Sequence, residues 1–164
     1  MPEEQLPQTL DVTGKVILER RSSYAGAKVC IESTCASTPD DGSYTLENVP
    51  PTGTVQISHP SYLLSTRDYE GEAGETVTLS DVTLLGGDPS QNGQIGPEDA
   101  AIIGMAWNST PSDGHWDSRA DITDDGIVNI LDMVAVLSNL GQSTAKTSRR
   151  AMIIVSPTSP LTPQ

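Results

Sequence analysis

Asp88-Pro89-Ser90-Gln91-Asn92-Gly93-Gln94-Ile95-Gly96-Pro97-Glu98-Asp99 and Asp121-Ile122-Thr123-Asp124-Asp125-Gly126-Ile127-Val128-Asn129-Ile130-Leu131-Asp132 are two twelve-residue stretches offset by 33 positions. Position 1 is Asp in both, position 5 Asn or Asp, position 6 Gly, position 8 Ile or Val and position 12 Asp. That is the register of a calcium loop, in which alternate residues turn oxygens inward around a hard cation. Gly93 and Gly126 allow the sharp turn, and the apolar eighth residues, Ile95 and Val128, are expected to point into a core beneath each loop.

A hard cation takes six to eight oxygens, and the spacing supplies them from a short segment. In the first loop the expected ligands are Asp88, Ser90, Asn92, the carbonyl of Gln94, and Asp99. In the second they are Asp121, Thr123, Asp125, the carbonyl of Ile127, and Asp132. Asp124 and Glu98 fall outside this register and read as solvated surface. A full EF-hand would place Asp or Asn at position 3 and Glu at position 12, whereas this chain has Ser90 and Thr123 at the one and Asp at the other. Loop 2 carries three carboxylates in ligand positions against two in loop 1. Two Ca²⁺ ions are therefore expected, the second loop binding more tightly.

Each loop leads into a helix signal. Pro97 suits a first helical position, with Glu98 and Asp99 favourable to the positive end of the helix dipole. Asn129 is a capping residue for the second helix, and Gly141 an ending one. Ile103 and Trp107 lie four apart on one face, matched at the same offset by Val136 and Leu140. A core near fifty-five residues needs a staple, so metal binding is expected to be part of the folding free energy and to order both helices.

The chain has 22 acidic residues against 9 basic ones, a formal charge of −13. Such a surface repels phosphate backbones and anionic headgroups, which argues against nucleic acid and membrane-surface partners. The longest nearly apolar stretch, 100–107, is far short of a bilayer span. The amino end has neither the basic region nor the apolar core of a secretory signal, which fits a cytosolic chain, a processed one or a fragment. No Ser/His/Asp set, Cys–His pair or phosphate loop is discernible, so a non-enzymatic role is expected.

Upstream, the pattern alternates. Leu10, Val12, Val16 and Leu18 occupy every second position around Gly14, followed by Ala27, Val29 and Ile31, by Tyr44 and Leu46 after Asp40-Asp41-Gly42, by Val55 and Ile57, and by Val77, Leu79, Val82 and Leu84. About seven short strands separated by turn signals predict an antiparallel β-sandwich, with 36–46 as a hairpin. Tyr44, Tyr62 and Tyr69 are expected as core or edge packing. Cys30 and Cys35 are close enough for a local disulfide in an oxidising compartment and otherwise are two thiols; their spacing matches no zinc site. The expected organisation is a sandwich over 8–86, a small α-helical calcium-binding module over 87–141 and a Ser/Thr/Pro-rich tail over 142–164, in which 152–155 either adds a strand, docks on the helices or stays disordered.

Through Val12-Thr13-Gly14-Lys15-Val16, Gly26-Ala27-Lys28-Val29, Asp41-Gly42-Ser43-Tyr44-Thr45-Leu46 and Val49-Pro50-Pro51-Thr52-Gly53, the first part resembles the carboxypeptidase regulatory-like family of prealbumin-type sandwiches, usually accessory modules of secreted or surface proteins. Gly87 to Gly141, above all loop 2 and Leu137-Ser138-Asn139-Leu140-Gly141, resembles the type I-like dockerin module. That resemblance implies a cohesin partner and attachment of a host protein to an extracellular, cellulosome-like complex engaged in polysaccharide degradation. It also implies partner-reading positions: Pro97, Glu98, Gly104 and Met105 in the first unit, Ile130, Leu131, Leu137 and Ser138 in the second. The two units do not match, which speaks against symmetry-related binding in two orientations. Ile130 and Leu131 together form a small apolar anchor, with one of them expected in the core. The competing expectation is a calcium-stiffened structural or adhesin-type surface module with no cohesin partner.

Overall fold

The computed structural model describes residues 8–144 and 153–156. Ten strands precede two short helices: β1 (Leu10–Leu18), β2 (Lys28–Ile31), β3 (Thr34–Ser37), β4 (Ser43–Val49), β5 (Thr52–Ser58), β6 (Ser61–Tyr62), β7 (Ser65–Glu70), β8 (Thr76–Leu79), β9 (Val82–Leu84), β10 (Gly86–Asp88), α1 (Pro97–Met105) and α2 (Ile130–Ser138), with β11 (Ile153–Ser156) following. The fold is mostly β-sandwich-like. One sheet runs β11-β8-β1-β4 with β9 also on β1, the other β3-β2-β5-β7, and β6 and β10 form a two-stranded ribbon.

Alternation dictates which side chains meet between the sheets. All the apolar residues singled out in the strands are buried, from Leu10, Val12, Val16 and Leu18 to Val82 and Leu84, and Tyr44, Tyr62 and Tyr69 are buried with them. Cys30 and Cys35 face each other across the β2–β3 pair and form a disulfide.

Pairing departs from the sequence expectation, because a period of two fixes which face a residue takes but leaves the partner strand and its direction open. The sandwich is not purely antiparallel: β1 pairs antiparallel with β4, but its other edge pairs parallel with β8 over Asp11–Thr13 and with β9 over Val16–Leu18. Residues 36–46 are not a hairpin. β3 pairs with β2 and β4 with β1, so the tight turn closed by Gly42 N donating to Pro39 O at 2.9 Å carries the chain from one sheet to the other.

The second part is less helical than expected, with two nine-residue helices and the rest loop. Pro97 opens α1, and Asn129 caps α2, its side chain accepting from Leu131 N at 2.8 Å. Both helices stop early. Ile103 and Val136 are buried, but Trp107 and Leu140, expected on the same faces, lie beyond the helix ends and are 42% and 52% exposed. The second unit's contacts also run past Gly141, where Ser143 bridges to Gln94 and Thr144 N donates to Gly93 O at 2.8 Å. Of the stretch 152–155, residues from Ile153 on form β11, antiparallel to β8; the rest of the tail lies outside the described residues.

Gly86 and Gly87 let the two parts close on each other. A Cβ on Gly87 would stand 3.0 Å from Val136 Cα of α2, and one on Gly86 would stand 3.0 Å from Ile122 Cγ2. One buried cluster runs from Leu10 through Ile95, Ile103, Ile122 and Val128 to Val136.

Gly42 sits at φ +79°, and a Cβ there would collide with the carbonyl oxygen of Val16. Gly42→Ala is expected to cost about 2–4 kcal/mol in denaturant unfolding. Gly104→Ala, in open space on α1, is expected to add up to about 1 kcal/mol. Equal stabilities for the two variants would contradict this assignment of the turn.

Candidate functional site

The two twelve-residue loops repeat in space as they do in sequence. Asp88 Oδ1 accepts from Asn92 N at 3.2 Å and its Oδ2 from Gly93 N at 3.0 Å; Asp121 does the same with Asp125 N at 3.2 Å and Gly126 N at 3.0 Å. Asp99 accepts from Ser90 N at 3.0 Å and Gly96 N at 2.8 Å, and Asp132 from Thr123 N at 3.0 Å and Asn129 N at 2.9 Å. Position 5 also matches: Asn92 Oδ1 accepts from Gln94 N at 2.9 Å and Asp125 Oδ1 from Ile127 N at 3.0 Å. Gly93 and Gly126 take φ of +83° and +84°, so both turns need the freedom glycine has.

Asp88, Asp99, Asp121 and Asp132 are all buried. In loop 2, carboxylate oxygens of Asp121, Asp125 and Asp132 lie within 4.8 Å of one another. Three carboxylates, with the Thr123 hydroxyl donating to Asp132 Oδ1 at 3.1 Å, make an oxygen-only cluster that fits a hard divalent cation. Loop 1 brings Asp88 and Asp99 together with Ser90, whose hydroxyl donates to Asp88 Oδ1 at 3.1 Å, but its fifth position is the neutral Asn92. Asn92 Nδ2 donates to Glu98 Oε1 at 2.8 Å, so Glu98 braces the loop from outside. Burial pushes the carboxyls of Asp88 and Asp121 above their ordinary range.

Each loop is closed by the segment leaving the other unit's helix. Val128 N donates to Ser109 O at 3.0 Å and Asn108 N to Val128 O at 2.8 Å; at the same offset, Ile95 N donates to Gln142 O at 2.8 Å and Gly141 N to Ile95 O at 2.9 Å. The apolar eighth residue of each loop is fully buried between these bonds, as its pattern predicts.

On the outer side of α2 lies an apolar stripe. Ile130, Leu131 and Leu137 are 57%, 53% and 56% exposed, with Ser138 beside them. Neither Ile130 nor Leu131 enters the core, contrary to the expectation for one of them, because Asp132, Ala135 and Val136 turn the opposite face of the helix inward. In the first unit Pro97, Glu98, Gly104 and Met105 are exposed as well, but only Met105 offers a large apolar side chain. The two faces differ in chemistry, as the mismatched sequences imply.

Sequence reasoning missed the sandwich residues that hold this part. Arg21 Nε donates to Ile122 O at 2.8 Å, Ser61 Oγ to Arg119 O at 2.7 Å, and Asn139 Nδ2 to Glu19 Oε2 at 2.6 Å. The Tyr62 hydroxyl donates to Glu19 O at 2.7 Å, with Ile122 O a longer second acceptor at 3.3 Å, and burial pushes its pKa up to about 12. Arg20 Nη2 donates to Ser138 Oγ at 2.9 Å at the end of the α2 stripe. The Arg20-Arg21 pair in an acidic chain was the one visible signal.

No family model matches the sequence, and no curated protein matches it. Solved structures do share its fold. A chain in a C-terminal interface mutant of the type II cohesin–X-dockerin complex from Acetivibrio cellulolyticus superposes with a TM-score of 0.74 at 23% identity, over 83% of this chain and 98% of that one. A chain in the N-terminal interface mutant of the same complex gives 0.73 at 21% identity over the same shares. These findings correct the resemblance drawn from the sequence. Neither a carboxypeptidase regulatory-like sandwich nor a type I-like dockerin is the assignment: the likeness is to chains of type II complexes, runs through both parts of the molecule, and belongs to a mostly β-sandwich-like fold with two short helices. The cohesin partner rested on that resemblance and is withdrawn with it.

An acid whose pKa is raised on folding is held protonated more tightly by the native state than by the unfolded chain. Its contribution therefore favours folding at low pH and is lost as pH rises through the raised value. In chelator, carboxyl-carbon NMR titration is expected to place Asp88 and Asp121 above 3.8 and Asp41, held down by Ser43, below it. The same midpoint for all three would contradict the buried placement of the two loop residues.

Proposed function

We propose that the chain is a non-catalytic protein–protein docking module, one half of a cohesin–dockerin-type pair working outside the cell, with Ca²⁺ held in its two loops. The observation that carries the docking reading is the stripe of Ile130, Leu131 and Leu137, each more than half exposed on one helix. Exposed branched apolar side chains grouped on a short helix keep apolar surface in water at a free-energy cost that a covering partner would remove. The likeness to chains of type II cohesin–X-dockerin complexes supports the same reading, and the Cys30–Cys35 disulfide suits an oxidising compartment. No described helix is long and apolar enough to cross a membrane.

Calcium accounts for the loops. Their buried carboxylates face one another, and a bound cation would convert that repulsion into coordination, so the ion would stabilise the fold. Asp121, Thr123, Asp125, Asp132 and the Ile127 carbonyl would hold the ion of loop 2; Asp88, Ser90, Asn92, Asp99 and the Gln94 carbonyl would hold the weaker one of loop 1. The chain's contribution is to fix α2 directly after Asn129, with Asp132 serving both as the loop's last ligand and as the residue that accepts from Asn129 N. Filling loop 2 would thereby hold the start of the helix that presents Ile130 and Leu131.

Calorimetry of the full chain against type II modules of both classes named in those complexes tests the proposal. For a mostly β-sandwich chain, X-dockerin is the counterpart to try first. Saturable binding that chelator removes is expected, and Leu131→Asp should weaken it about a hundredfold while leaving calcium uptake intact. Asp121→Ala with Asp132→Ala should lose the tighter calcium site. Calcium uptake with no module bound would overturn docking and leave a rigid structural module; absence of calcium uptake would overturn the metal reading.

A further inference from the structure

The second loop is fastened to the sandwich at one peptide. Ile122 lies between Asp121 and Thr123, at the second loop position, and its carbonyl accepts from Arg21 Nε at 2.8 Å and from the Tyr62 hydroxyl at 3.3 Å. Three residues upstream, the Arg119 carbonyl accepts from Ser61 Oγ at 2.7 Å. Ile122 is fully buried. The Arg21 side chain is 12% exposed, its guanidinium 5.5 Å from the centre of the Tyr62 ring. In loop 1 the equivalent position is Pro89, and the approach to that loop is instead tied by backbone pairing of Gly86 and Asp88 with Tyr62 and Ser61. Arg21 therefore serves loop 2 specifically.

We propose that Arg21 is a positioning residue for the cation site of loop 2, holding the Ile122 peptide so that the ligands on either side are set before the ion arrives. The inference rests on the reading of loop 2 as a calcium site. A loop pinned in its liganded geometry loses less conformational freedom on binding, and partners that orient metal ligands are typically worth tenfold or more in affinity. Charge alone gives the opposite sign. Arg21 Nη1 stands 3.7 Å from Oδ2 of Asp124, the fourth residue of loop 2, and a guanidinium beside the loop repels Ca²⁺. Removing a merely electrostatic arginine would tighten the site, whereas removing a positioning one weakens it.

The test is a calcium titration of the full chain followed by the amide resonances of Gly126 and Gly93, which report the two loops separately. Arg21→Gln is expected to raise the calcium midpoint at Gly126 about tenfold and leave that at Gly93 unchanged. Tyr62→Phe, which removes the other donor and keeps the ring, should shift Gly126 in the same direction by less. Arg20→Gln, whose arginine reaches α2 and not the loop, should shift neither. An unchanged or tighter Gly126 midpoint in Arg21→Gln overturns the inference, as does an equal weakening at both glycines. Should Arg21→Gln fail to fold, an unchanged Gly126 midpoint in Tyr62→Phe overturns it. A wild-type chain in which neither glycine responds to calcium overturns the metal reading itself, a result distinct from the others.

Discussion

Four aspartates stand almost entirely out of water, and the second part of the molecule is arranged around them. Asp88, Asp99, Asp121 and Asp132 are 2%, 0%, 6% and 0% exposed. A buried carboxylate without compensation is costly, and here the compensation is the loop backbone itself, which curls so that successive N–H groups point at the acid oxygens. Position 6 must then be glycine, position 12 must sit in the first turn of a helix, and position 8 is left facing the core. Each helix start is thus fixed by the carboxylate that closes the loop before it.

The twofold repeat adds a constraint that neither unit could supply alone. The buried eighth residue of each loop is bonded to the segment leaving the other unit's helix, so Val128 depends on Asn108 and Ser109, and Ile95 on Gly141 and Gln142. The repeat is a mutual closure, and that is why the second unit's contacts extend beyond Gly141. The sandwich completes it: Ser61 and Tyr62 pair through their backbone with the entrance to loop 1, while their side chains, with Arg21, hold the approach to loop 2. A single short strand therefore brackets both loops.

The α2 stripe follows from the same geometry. Asp132 must turn inward to accept from Thr123 and Asn129, and Ala135 and Val136 share its face, so Ile130, Leu131 and Leu137 are left outside. Burying the acid determines which apolar residues remain exposed. This is the physical link between a loop suited to a cation and a face suited to a partner.

The sequence by itself determined the loops, the buried side of the strands that alternate and the helix starts, because each rests on contacts between residues few positions apart: a carboxylate and the amides four and five residues on, a period of two, a cap. It did not mark β7, where only Tyr69 of six residues is buried and no alternation shows. It could not determine strand partners, since alternation is blind to direction, and so missed the parallel pairing of β1 and misread 36–46 as a hairpin. It placed Trp107 and Leu140 on buried faces because a helical period says nothing about where a helix stops. Only the tertiary structure brought Arg21, Ser61 and Tyr62 to loop 2, across separations of 58 to 101 residues. Those bonds depend on how two packed layers meet, and no local pattern encodes that.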